Sequence, residues 1–134
     1  MSRRTILVVD DSPTELALLL AALRPRDFRL LSANDGDEAL EIARRQHPDL
    51  VLLDVIMPRK NGFQVCRQLK SEAPTQGIKV ILVTGKHQPS DRFWGLKQGA
   101  DDYLTKPITP EELLGAVERH LSDGMGDRVG HERR

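Results

Sequence analysis

Apolar positions along the chain follow two patterns that alternate. In the first, a short run is apolar throughout: Ile6-Leu7-Val8-Val9, Leu50-Val51-Leu52-Leu53 and Val80-Ile81-Leu82-Val83. Such runs, bounded by polar residues, predict strands buried on both faces, as in a parallel sheet. Phe28 to Ser32 and Asp102 to Leu104 are weaker candidates of the same kind. In the second pattern apolar residues recur at helical spacing, as in Leu16, Leu19, Leu20 and Leu23, and again in Ala39, Leu40, Ile42 and Ala43. Phe63, Val65, Cys66 and Leu69 form a third such set, and Leu113, Leu114, Val117 and Leu121 a further one. Ser90 to Gln98, carrying Phe93, Trp94 and Leu96, predicts a weaker helix between these last two.

Helix start signals agree with this division. Ser12-Pro13-Thr14-Glu15 offers a capping hydroxyl, a proline at the first helical position and a glutamate three residues after the cap. Thr109-Pro110-Glu111-Glu112 repeats the arrangement, Asn61-Gly62-Phe63-Gln64 is a looser form, and Gly99 stands where a helix would stop. A strand followed by a helix, five times over, predicts a doubly wound α/β domain: a five-stranded parallel sheet, helices on both faces and right-handed crossovers. The domain is expected over residues 4–121. Residues 122–134, with three glycines and no apolar periodicity, are expected to form a loose tail.

Composition narrows the function classes. Twenty Lys and Arg balance twenty Asp and Glu, which argues against a nucleic-acid binder acting through bulk positive charge. One cysteine excludes an internal disulfide and a cysteine zinc cluster. The longest apolar run, Leu16 to Leu23, is eight residues, too short to span a bilayer, and Asp10 and Asp11 interrupt the first apolar segment where a signal peptide would continue. A cytoplasmic location without membrane insertion is expected. His47, His87, His120 and His131 lack metal-ligand spacing, Cys66 reads as a small buried apolar residue, and Phe93 and Trp94 read as core and rim packing.

Candidate chemistry lies at the strand ends. In an open parallel sheet, ligands bind at the carboxyl ends of the strands. Asp10 and Asp11 follow the first strand, Asp54 closes the third, Thr84 closes the fourth, and Lys106 and Pro107 follow the fifth. Three crowded carboxylates repel one another unless a positive group sits among them. A hard cation such as magnesium suits a few carboxylates, waters and a phosphate. A carboxylate can also attack phosphorus, with Thr84 donating a hydrogen bond to a phosphoryl oxygen and Lys106 neutralising charge. Each residue alone has a simpler reading: Asp10 and Asp11 as a turn before a helix cap, Thr84 as an ordinary strand residue, Lys106 as a solvated cation. Together, in order and in register, they read as a site.

The pieces Val8-Val9-Asp10-Asp11-Ser12, Leu53-Asp54-Val55-Ile56-Met57-Pro58, Asn61-Gly62, Val83-Thr84-Gly85, Gly99-Ala100 and Tyr103-Leu104-Thr105-Lys106-Pro107 resemble, as a set, a response-regulator receiver domain of two-component signalling. The resemblance implies a flavodoxin-like sheet with strand order 2-1-3-4-5. It implies Asp54 as phosphoryl acceptor and a Mg2+ ion held by Asp10, Asp11, Asp54 and the backbone carbonyl of Ile56. Thr84 and Tyr103 become switch residues, Lys106 pairs with the phosphate, Gly85 supplies a small side chain beside it, and the bond before Pro107 is expected to be cis. Ile56 and Lys86 occupy the positions that tune phosphoryl lifetime in the family, and an apolar residue with a cation there predicts slow hydrolysis.

The implied partners are a histidine kinase and a downstream protein, met through the face of the fourth helix, fifth strand and fifth helix near Gly95, Lys97, Gln98, Tyr103 and Glu118. Direct nucleic-acid binding is not expected, and the chain is expected to be a monomer or weak dimer. Alternatives are a phosphate sink that drains a chemotaxis-like kinase, or a receiver cut from a larger regulator. Ser12-Pro13-Thr14-Glu15 and the stretch with Phe93-Trp94-Gly95 and Gln98-Gly99-Ala100 resemble regulators of type IV pilus twitching in chemotaxis-like pathways. An aspartate-nucleophile phosphohydrolase is disfavoured, because position 56 is Ile where that chemistry needs a second acid. A nucleotide binder is disfavoured by the lack of Gly-rich phosphate loops.

Overall fold

A computed structural model describes residues 3–130, with side chains described through Ser122. The elements are β1 (Thr5–Val9), α1 (Pro13–Leu23), β2 (Arg29–Ala33), α2 (Gly36–Gln46), β3 (Leu50–Leu53), α3 (Gly62–Ser71), β4 (Lys79–Thr84), α4 (Pro89–Lys97), β5 (Asp102–Thr105) and α5 (Pro110–Gly130). The strands form one parallel sheet in the order β2-β1-β3-β4-β5, as expected. The three apolar runs are its three central strands, and the two weak candidates are its edges. An edge strand has one uncovered side, so Arg29 and Ser32 of β2 and Thr105 of β5 remain exposed and dilute the apolar signal.

Alternation along the strands divides the core between the two faces of the sheet. Leu7, Val9, Val51, Leu53, Val80 and Leu82 point to one face and meet Leu40 and Ala43 of α2 and Val65, Cys66 and Leu69 of α3. Ile6, Val8, Leu50, Leu52, Ile81 and Val83 point to the other and meet Leu19 and Leu23 of α1 and Leu113, Val117 and Leu121 of α5. The helix starts follow the sequence signals. Ser12 Oγ accepts from the Glu15 N–H (3.3 Å), and Thr109 Oγ1 accepts from the Glu112 N–H (3.1 Å). At α3 the Asn61 and Gln64 side chains accept reciprocally from each other's backbone N–H, a full capping box.

The backbone of α5 is helical through Gly130, into the stretch expected to form a loose tail, and Leu121 is its last core residue among those with described side chains. Once a helix is nucleated, each added residue brings one more backbone hydrogen bond, so isolated glycines do not stop it. Residues 131–134 of that stretch lie outside the described residues. Phe93 and Trp94, read as core and rim packing, are both outside the core: they are 57% and 55% exposed, and their neighbour Leu96 is 42% exposed. The reason is the contact made by α4, which buries only Gly95 against the sheet and turns its large apolar residues outward. Among the described residues, no helix is long and apolar enough to cross a membrane.

Candidate functional site

Strand register brings the candidate residues to one edge. Val9 pairs with Leu53, so Asp10 and Asp54 emerge side by side, and the Asp54 N–H still donates to the Val9 carbonyl (3.1 Å). Thr84 pairs with Thr105, and the Lys106 N–H donates to the Thr84 carbonyl (2.8 Å). The peptide bond between Lys106 and Pro107 is cis, as the sequence resemblance implied.

Each acid is held by its own turn. Asp10 Oδ1 accepts from the Ser12 N–H (3.0 Å), and Asp54 Oδ1 accepts from the Ile56 N–H (3.2 Å). Both carboxylates are buried, whereas Asp11 is exposed. Carboxylate oxygens of Asp10, Asp11 and Asp54 lie within 4.8 Å of one another. Three hard oxygen donors this close, two of them desolvated, suit a hard divalent cation of the magnesium type. Among the described residues, Lys106 is the cation paired with the cluster: its Nζ is 3.0 Å from Asp10 Oδ2 and 3.7 Å from Asp54 Oδ2, and it also lies 3.4 Å from Glu15 Oε1.

The electrostatics follow. Burial raises the Asp54 carboxyl above its usual range, and neighbouring Asp10 adds to the rise. The Lys106 charge, the Ile56 N–H and the Thr84 hydroxyl work against it without cancelling it. For Lys106, burial disfavours the ammonium, but the hydrogen bond to Asp10 and the charges of Asp54, Asp10 and Glu15 outweigh burial and leave its pKa raised. Lys106 therefore stays a cation at the mouth of an acidic cluster.

The remaining predicted residues form a second group leading away from the acids. Thr84 is fully buried, and its Oγ1 accepts from the Lys86 N–H (3.3 Å). The Tyr103 ring is buried and its hydroxyl donates to the Lys86 carbonyl (2.8 Å), so Lys86 bridges the two proposed switch residues. Burial first, then the charges of Asp91 and Asp54, push the Tyr103 hydroxyl up to about 12, which keeps it a donor. Among the described residues, no atom beyond its two chain neighbours lies within 4 Å of a Cβ built on Gly85, so packing there does not demand a glycine. The Ile56 side chain is exposed.

Two glycines matter more than their place in short motifs suggested. A Cβ on Gly62 would lie 2.2 Å from the Asp54 carbonyl oxygen and 2.7 Å from the Val55 Cα. Gly62 instead brings the start of α3 against the site, where its N–H donates to the Val55 carbonyl (2.9 Å). A Cβ on Gly95 would lie 2.8 Å from both Leu82 Cδ1 and Tyr103 Cδ2. A glycine in the middle of a helix costs stability, and here it makes room for the inward tyrosine. The sequence signal was present in both cases, as a glycine directly after a capping Asn and a glycine inside an amphipathic segment.

Comparison with known proteins decides the family. The family model for the response regulator receiver domain matches residues 6–118. The chain belongs to the response regulator receiver family. The receiver is 48% identical over 117 residues to Protein PilH of Pseudomonas aeruginosa, a match spanning 87% of this chain and 97% of PilH. It is 41% identical over 119 residues to the DNA-binding response regulator MtrA of Mycolicibacterium smegmatis, covering 89% of this chain but 51% of MtrA. Among solved structures, the chemotaxis protein CheY4 of Vibrio cholerae superposes with a TM-score of 0.83 at 28% identity, covering 88% of this chain and 98% of that one. The receiver is thus a module of two-component signalling; receiver domains bind magnesium at an acidic pocket, and Asp10, Asp11 and Asp54 form an acidic cluster able to hold a metal ion.

Proposed function

We propose that Asp54 is the phosphoryl acceptor. A carboxylate oxygen of Asp54 attacks the phosphorus of a phosphohistidine on a partner kinase. A new O–P bond forms as the P–N bond breaks, leaving an acyl phosphate on Asp54 and a free imidazole on the kinase. The observation that carries this reading is the buried Asp54 carboxylate, set beside two further acids and within 3.7 Å of a lysine ammonium. Asp10, Asp11, Asp54 and the Ile56 carbonyl would hold magnesium, which supplies charge neutralisation for the phosphoryl oxygens when bound. Lys106 pairs with a phosphoryl oxygen, and Thr84 donates its hydroxyl to another.

Modification replaces a carboxylate with a group carrying about −1.5 to −2 charges. Thr84 turns toward that group, the Lys86 link transmits the shift, and Tyr103 and α4 adjust, so the face of α4, β5 and α5 changes its affinity for a downstream protein in the cytoplasm. The exposed Phe93, Trp94 and Leu96 on α4 give that face apolar contact area. Likeness to the chemotaxis protein CheY4 of Vibrio cholerae over 98% of that chain supports a chemotaxis-like pathway. Ile56 offers no polar group to orient an attacking water, and the Lys86 ammonium is engaged with Asp91 (3.5 Å), so hydrolysis of the acyl phosphate is slow.

The test is intact-mass analysis after incubation with a small acyl phosphate, with and without magnesium. A single magnesium-dependent phosphoryl adduct, absent from Asp54→Ala, supports the reading. An unmodified wild-type chain under all conditions rejects it.

A further inference from the structure

Lys106 is shared among three carboxylates, and one of them has no part in the proposed transfer. Its Nζ lies 3.0 Å from Asp10, 3.4 Å from Glu15 and 3.7 Å from Asp54. The longest of these contacts is the one to the group that Lys106 would serve. Glu15 is not a casual surface neighbour. Pro13 begins α1, Ser12 Oγ accepts the Glu15 N–H, and Leu19 and Leu23 pin the helix to the core, so the Glu15 backbone is fixed relative to the site. Its side chain is 43% exposed against 18% for Lys106. Glu15 also stands outside the group formed by Asp10, Asp11 and Asp54. Water and salt screen the long-range field of such a half-exposed acid, so its influence on the site runs through direct contact with Lys106.

We propose that Glu15 is a positioning residue for phosphoryl transfer: its carboxylate holds Lys106 Nζ toward α1 and limits how far the ammonium engages Asp54 and the incoming phosphoryl group. The inference rests on Asp54 being the acceptor. With Glu15 in place, Lys106 must give up one carboxylate to reach a phosphoryl oxygen. Without it, Lys106 moves toward Asp54, which favours the anionic phosphoryl group and opposes a divalent cation at the same acids.

The experiment is a double-mutant cycle with wild type, Glu15→Gln, Lys106→Met and the double variant. Two quantities are read: the phosphorylation rate with a small acyl phosphate at saturating magnesium, and the magnesium dissociation constant by calorimetry without phosphodonor. Glu15→Gln is expected to react about two- to fivefold faster and to bind magnesium about two- to fivefold more weakly, the range of a part-exposed ion pair. Both differences vanish in the Lys106→Met background, and the calorimetric one carries the cycle where that background reacts too slowly to time. Glu15→Asp keeps the charge but withdraws it by one methylene, and it is expected to behave like Glu15→Gln. Unchanged values in Glu15→Gln, or differences that persist without Lys106, overturn the proposal. A wild-type chain that takes up no phosphoryl group but shows the calorimetric pattern rejects the acceptor reading and leaves the hold of Glu15 on Lys106 supported.

Discussion

Helices α3 and α4 flank the same half of the sheet, yet they are built to opposite purposes. Helix α3 opens with a complete capping box, buries Gly62, Val65, Cys66 and Leu69, and sends Lys70 to the Ile78 carbonyl (2.8 Å) and Asp101 (2.9 Å). Helix α4 buries only Gly95. It is tied down by the Arg92 guanidinium donating to the Tyr103 carbonyl (2.8 Å), and it turns Phe93, Trp94 and Leu96 to solvent. Lys97 lies over the Phe93 ring, 5.6 Å from its centroid, which covers part of this apolar surface without burying it. A helix with many buried contacts sits in one deep energy well, while a helix with few can be shifted by a modest change at its edge. The first packs against the acidic cluster, and the second is the element that reports on it in the proposed function.

That contrast makes ordered predictions. The largest effects belong to α3. Leu69→Ala should cost about 3 kcal/mol in urea unfolding, and Gly62→Ala a similar amount because its new Cβ meets backbone rather than a movable side chain. Equal tolerance of Gly62→Ala and Gly85→Ala would break the assignment of Gly62 as a close-approach position. Next comes Gly95→Ala. The gain in helix propensity, about 1 kcal/mol, is opposed by contacts with Leu82 and Tyr103. The expected result is little or no stabilisation, together with a Tyr103 hydroxyl that loses protection from solvent, read by NMR.

A smaller effect concerns the site itself. Burial raises the Asp54 carboxyl, so at neutral pH the folded chain carries a charge that the unfolded chain bears more easily. Asp54→Asn should therefore raise the melting temperature by a few degrees at pH 7. That advantage shrinks as pH falls through the folded-state pKa of Asp54, where the wild-type carboxyl becomes neutral. An advantage that grows with acidification would contradict the desolvation argument. The smallest stability effect is expected on the outer face of α4: Trp94→Ala and Leu96→Ala should each change stability by less than about 1 kcal/mol. Binding of the downstream protein should weaken severalfold in the same variants.

The same contrast explains what could be read from the residues alone. The central strands and α3 were legible because burial on all sides leaves an unbroken apolar record. The acids, Thr84 and Lys106 were legible because the strand-end rule turns sequence order into proximity. Strands β2 and β5 were fainter because edges keep polar residues. The outward turn of Phe93 and Trp94 was not legible, since an aromatic pair on a short helix looks the same facing in or out. Nor was the contact between Glu15 and Lys106, which depends on how α1 and the segment after β5 lie against each other. The length of α5 was hidden by glycines that mark loops in most settings.

Coupling between Asp54 and α4 is tested most directly by hydrogen–deuterium exchange measured by mass spectrometry on the receiver with and without a small acyl phosphate, in the presence of magnesium. Altered exchange is expected across Lys86–Tyr103 in the wild type, with unchanged exchange across Gly62–Ser71 and no difference at either segment in Asp54→Ala. Identical exchange in both wild-type samples, despite a phosphoryl adduct on Asp54, would contradict it, as would a change shared equally by α3 and α4.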